Sequence, residues 1–93
     1  MKFKEIEGKI IPVLRKHDVV RAGLFGSFAR GDVKKRSDVD ILVEFHGRKS
    51  LLDLAGLEIE LENKLERKVD VLTYNSIHPL LRKKIMKEEV RII

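Results

Sequence analysis

Cysteine, tryptophan and glutamine are absent from this 93-residue chain, which has one tyrosine and two prolines. Without cysteine there is no disulfide, no thiolate metal site and no thiol nucleophile, which fits a cytoplasmic chain. No apolar run approaches the ~20 residues of a membrane span, so no membrane association is expected. The N-terminus, MKFKEIEGKI, mixes acids with bases and has no long apolar stretch, unlike a secretory signal. There is a single tyrosine, no tryptophan and no RNA-stacking motif. A nucleic-acid partner is therefore disfavoured, despite a net charge of +5 and a pI near 9.6.

What is present is apolar and charged in comparable amounts, 43% and 38% of the chain. The apolar share is enough for one core, so residues 1–93 read as a single domain. Abundant Lys, Glu and Ile, with asparagine only at Asn63 and Asn75, is the composition of a thermophile surface laced with ion pairs.

Phe3, Ile6, Ile10, Val13 and Leu14 recur at helical spacing, predicting a helix from about Lys2 to His17. Val19 to Phe25 reads as a buried strand ending at Gly26. Ser27 to Arg30 reads as one helical turn and Gly31 to Ser37 as a polar loop. Val39 to Phe45 reads as a second strand. Ser50 suits the cap of a helix over Leu51 to Leu65, whose stripe is Leu54, Leu57, Leu61 and Leu65. A short strand is expected over Val69 to Leu72. Pro79 should open a last helix reaching about Glu89, with Leu81 and Ile85 inward, and Val90 to Ile93 a terminal strand. Helices alternating with strands define an α/β fold with a small sheet.

Asp38 and Asp40 are two residues apart, so in a strand they project from one face. Two carboxylates that close repel unless a cation stands between them. Oxygen ligands without His or Cys nearby favour Mg²⁺ or Mn²⁺. A plainer reading has Ser37 and Asp38 capping a turn and Asp40 solvated at an edge. Asp70, an acid inside the apolar segment KVDVLTY, tilts the choice, provided its strand lies beside the second. Three acids on adjacent strands make a platform for two metal ions. In GSFARG, Gly26 permits a sharp turn, Ser27 opens a helical turn able to hold phosphate oxygens, and Arg30 adds positive charge. The stretch is not a Walker A loop, because Asp32 and Val33 stand where Lys and Ser/Thr are required.

Taken together, G-S-x-A-R-G, five residues, S-D-x-D-I-x-V and a distant acid in an apolar strand resemble the DNA polymerase beta-like nucleotidyltransferases. Within that superfamily the chain is similar to the minimal nucleotidyltransferases, or MNT proteins, over nearly its whole length. The resemblance implies a small mixed β-sheet flanked by helices. It implies Gly26, Ser27, Arg30 and Ser37 on the nucleotide, two Mg²⁺ ions (or Mn²⁺) on Asp38, Asp40 and Asp70, and Asp70 as candidate base. It also implies a genetic partner, a HEPN-domain toxin, and an activity moving AMP from ATP to a tyrosine of that partner. Two other readings stand beside this one. An antitoxin could act by occlusion, with vestigial acids. A nucleic-acid-directed transferase could use the basic stretches DVKKRS and LRKK. The sequence leaves the oligomeric state open and gives His17, His46 and His78 no ligand role.

Overall fold

The structure, a computed structural model, describes residues 2–26, 29 and 38–93. Helix α1 spans Phe3–Lys16 and strand β1 Val19–Phe25. Strand β2 spans Val39–Phe45, helix α2 Leu51–Leu65 and strand β3 Val69–Thr73. A 3₁₀ turn, Tyr74–Ser76, leads to helix α3, Pro79–Glu88, and to the two-residue strand β4, Val90–Arg91. The strands form one mixed sheet in the order β3-β2-β1-β4. β1 pairs antiparallel with both β2 and β4, while β2 and β3 run parallel.

Helices α1 and α2 cover one face of the sheet. Ile6, Ile10, Val13 and Leu14 of α1 meet Leu57, Leu61 and Leu65 of α2 over Ala22, Leu24, Ile41, Val43 and Val71. Each fully buried Leu or Ile here contributes about 1.5–3 kcal/mol relative to an exposed one. Ser50 caps α2 as expected. Its Oγ accepts from Asp53 N–H at 3.2 Å, and the Asp53 carboxylate accepts from Ser50 N–H at 2.8 Å. That hydrogen bond to the Ser50 backbone holds the Asp53 pKa below its usual value.

The opposite face carries a second, smaller core: Phe25, Leu42, Tyr74 and Ile77, with Leu72, Ile85 and Met86 against it. The expectation that Leu81 points inward is corrected, because it is 53% exposed and Ile85 and Met86 take the inward positions. Leu81 lies a turn before Ile85, and at that turn it is Arg82 that reaches the second core, donating to the Tyr74 carbonyl. β4 is also shorter than the expected Val90 to Ile93; Ile92 and Ile93 donate instead to the Ala22 carbonyl, at 2.9 and 3.2 Å. His78 has a structural role, its Nδ1 accepting from Leu80 N–H at 3.1 Å to cap α3. His17 bonds Glu60 at 3.0 Å.

Tyr74 is the hinge of the second core. Its hydroxyl donates to Glu89, whose side chain lies where a Cβ on Gly23 would stand. Arg21 stacks over the ring, 4.4 Å from its centroid. Burial, reinforced by the bond to Glu89, pushes the phenol pKa up. A group whose folded pKa exceeds its unfolded one contributes stability below the unfolded value and loses it as pH rises above. Stability is therefore expected to fall above about pH 10, the ordinary tyrosine value. Absorbance at 295 nm follows this lone tyrosine. The folded protein should show no phenolate at the pH where the urea-unfolded chain is half ionised, and Tyr74→Phe should flatten the alkaline slope.

Candidate active site

Asp38 directly precedes β2, and Asp40 and Asp70 are the second residues of β2 and β3. The parallel register pairs Val39 with Val69 and Asp40 with Asp70. Neighbours in such a ladder sit roughly 4.8 Å apart and leave the sheet on the same side. Asp40 and Asp70 therefore share one space, the condition on which the sequence reading of Asp70 depended. The start of the pairing is fixed by Val39 N–H donating to the Lys68 carbonyl at 3.0 Å. Asp38, Asp40 and Asp70 are all half-buried. Two residues on from Asp40 and Asp70, Leu42 and Leu72 enter the second core, so that face is apolar at one end and acidic at the other.

Gly26 meets this acidic end directly. Phe25 stands opposite Asp40 in the antiparallel register, so the chain leaving β1 arrives beside the Asp40 side chain. Gly26 has φ +70°, and a Cβ there would overlap Asp40 Oδ2 and lie 3.2 Å from its Cγ. Glycine is thus required twice, for the left-handed backbone and for the carboxylate beside it. The sequence anticipated a close approach of phosphate to Gly26; the described atom it approaches is Asp40. Gly26→Ala should lower Tm by about 5–10 °C, from a left-handed penalty of about 1–2 kcal/mol. It should also displace the Asp40 carboxylate, so Mn²⁺ titration of the folded variant is expected to show weakened binding.

Ser27, Arg30 and Ser37, the other candidate nucleotide contacts, lie outside the described residues, as do the predicted helical turn from Ser27 (Ala29 aside) and the loop from Gly31. A cleft of about 410 Å³ lined by Phe45, Lys49, Leu51, Thr73 and Asn75 opens at the far ends of β2 and β3. Its nearest lining residue on β2, Val43, is three residues, roughly 10 Å, along the strand from Asp40. Among the described residues no three His, Cys, Asp or Glu side chains form a ready-made metal cage. The register nevertheless suits a hard cation. Mg²⁺ is usually held by one or two carboxylates, with water and substrate phosphate completing its octahedron.

The four-stranded mixed sheet brings acids from two parallel strands together beside a glycine turn. The chain belongs to the polymerase beta nucleotidyltransferase family, whose sequence profile matches residues 8–93. It is 58% identical over 93 residues to the candidate protein adenylyltransferase MJ0435 of Methanocaldococcus jannaschii, covering 100% of both chains. A solved minimal nucleotidyltransferase superposes with a TM-score of 0.82 at 32% identity, over 97% of this chain and 95% of that one. A toxin–antitoxin crystal structure containing AMP-PNP superposes with a TM-score of 0.83 at 26% identity, over 94% of this chain and 72% of that one. The small mixed sheet flanked by helices is thus the fold of these proteins. Among the described residues no helix is long and apolar enough to cross a membrane.

Proposed function

We propose that this nucleotidyltransferase is the antitoxin of a HEPN-type toxin and inactivates it by moving AMP from ATP to a tyrosine hydroxyl. The observation that carries this reading is the register of Asp40 with Asp70 on one face of the sheet. The match over the full chain to a candidate protein adenylyltransferase supports a protein acceptor, and the likeness to a toxin–antitoxin structure containing AMP-PNP supports ATP as the donor.

In this reading Asp38, Asp40 and Asp70 hold a pair of Mg²⁺ ions, or Mn²⁺ in their place. When bound, these supply the positive charge that offsets the negative charge gathering on the phosphate oxygens. Gly26 brings backbone to the nucleotide side of Asp40, and Ser27, Arg30 and Ser37 contact the triphosphate. The acceptor oxygen forms a bond to the α-phosphorus of ATP. The bond from that phosphorus to the oxygen bridging to the β-phosphate breaks, and diphosphate leaves with the electron pair. The acceptor proton passes to the Asp70 carboxylate. Asp70 is suited to that role because it stands beside Asp40 on the edge strand.

The test is incubation with ATP, Mg²⁺ and the product of the neighbouring gene, followed by intact-mass measurement. A gain of one or more AMP units on the partner is expected. An unmodified partner that is nevertheless inhibited would replace transfer by occlusion.

A further inference from the structure

Asp70 lies on an edge strand, and edge strands leave alternate backbone N–H groups without a strand partner. At the residue immediately before Asp70 that group is not left to water. Val69 N–H donates to Glu62 Oε2 at 3.1 Å. Glu62 stands on the last turn of α2, where its own carbonyl accepts from Glu66 N–H at 2.8 Å and ends the helix. Only residues 66–68 separate helix from strand, and Glu66 takes the left-handed conformation, φ 54°, to make the reversal. On its other side the same short connection is tied to β2, through the Lys68 carbonyl and Val39 N–H at 3.0 Å. The peptide leading into Asp70 is thus clamped from two directions, by β2 and by a helix side chain.

From this clamp we infer that Glu62 is a positioning residue for the acid site. It fixes the start of β3 so that the Asp70 carboxylate stays level with that of Asp40. Its action passes through the Val69 peptide. The inference rests on the proposed role of Asp70. An all-carboxylate site tolerates little slippage, because displacing a reacting group by about 1 Å can cost a hundredfold in rate. Glutamine at position 62 keeps a carbonyl oxygen able to accept from Val69. Alanine removes the acceptor, and aspartate is one methylene too short to reach.

The chain is small enough for amide-resolved NMR, so the clamp and its consequence can be read separately. In Glu62→Ala and Glu62→Asp the Val69 amide should lose protection from hydrogen exchange, while amides of α1 and β1 keep theirs. Mn²⁺ affinity should drop about tenfold or more in both, and Glu62→Gln should restore protection and affinity together. AMP transfer should follow the same order, with the KM for ATP less affected than kcat. Asp70→Ala is measured alongside. If it leaves Mn²⁺ affinity unchanged, the assignment of Asp70 to the site is wrong. If Asp70→Ala weakens Mn²⁺ but Glu62→Ala and Glu62→Asp do not, although Val69 has become exposed, the positioning role is overturned. Loss of affinity in Glu62→Gln with Val69 still protected would overturn it too.

Discussion

Asp40→Asn is expected to lower AMP transfer by about a thousandfold or more, while the protein melts within a few degrees of the parent. The substitution keeps size and shape. The Cβ and Cγ that lie against Gly26 remain, as does the pairing with Phe25 and Asp70. What changes is charge and polarity. An amide carries no negative charge, and one of its two ends is a donor that cannot ligate a cation. Asp40 is flanked by Asp70 on β3 and by Phe25 and Gly26 on β1, so it sits at the centre of the acid row. Removing a central ligand costs several kcal/mol of transition-state stabilisation, and each 1.36 kcal/mol is tenfold in rate. Intact-mass time courses with saturating ATP and Mg²⁺ measure the loss, and a parallel Mn²⁺ titration shows whether ion binding is lost with it. Transfer at near parental rate would remove Asp40 from the metal platform and with it the two-ion reading.

Most of the scaffold was legible in the sequence because its periodicities were unambiguous. The limits of β1, β2 and α2 agree with the residues expected from apolar alternation and from the Ser50 cap. The second core was not legible. Leu42 looks like part of a polar face because Asp40 and Glu44 flank it, yet it is fully buried beneath Tyr74 and Ile77. No local pattern announces that a short 3₁₀ turn and a weakly amphipathic helix will fold back over that face. Nor does sequence reveal the partners of Tyr74, since Arg21 and Glu89 come from strands and ends far along the chain.

The acid site was readable for a related reason and incomplete for another. D-x-D on one strand puts two carboxylates on one face by geometry alone. Asp70 joins them only if β3 is parallel to β2 and in step, a fact of topology that alternation cannot supply. Glu62 could not be found at all, because a glutamate on the last turn of a helix has many ordinary roles. Its one signal is the shortness of the link from α2 to β3, which leaves the strand's first N–H groups near the helix end. The basic stretch at the start of α3 shows the converse. LRKK reads in the sequence as a solvated basic face, yet its Arg82 donates to the Tyr74 carbonyl at 3.0 Å and so fastens α3 to the second core.

Asp70→Asn should separate catalysis from binding, and thereby transfer from occlusion. Asp70 lies on the edge strand, one strand further from β1 and Gly26 than Asp40 is. A nucleotide held at the Gly26 turn and by Asp38 and Asp40 keeps those contacts when Asp70 is changed. The acceptor oxygen, in the proposed reading, would lose the carboxylate that takes its proton and a ligand for the second ion. The variant should therefore bind AMP-PNP within a few-fold of the parent by calorimetry in Mg²⁺, while AMP transfer to the partner falls by about a thousandfold or more. Because asparagine is isosteric and Asp70 is only half-buried, docking to the partner should survive, which co-elution on gel filtration would show. The decisive measurement is toxin activity after the complex is diluted below its dissociation constant. The parent should leave a toxin that stays inactive, since an AMP bond outlasts dissociation. The Asp70→Asn protein should leave one that recovers. Lasting neutralisation by the variant would mean that chemistry is dispensable and that the antitoxin works by covering its partner.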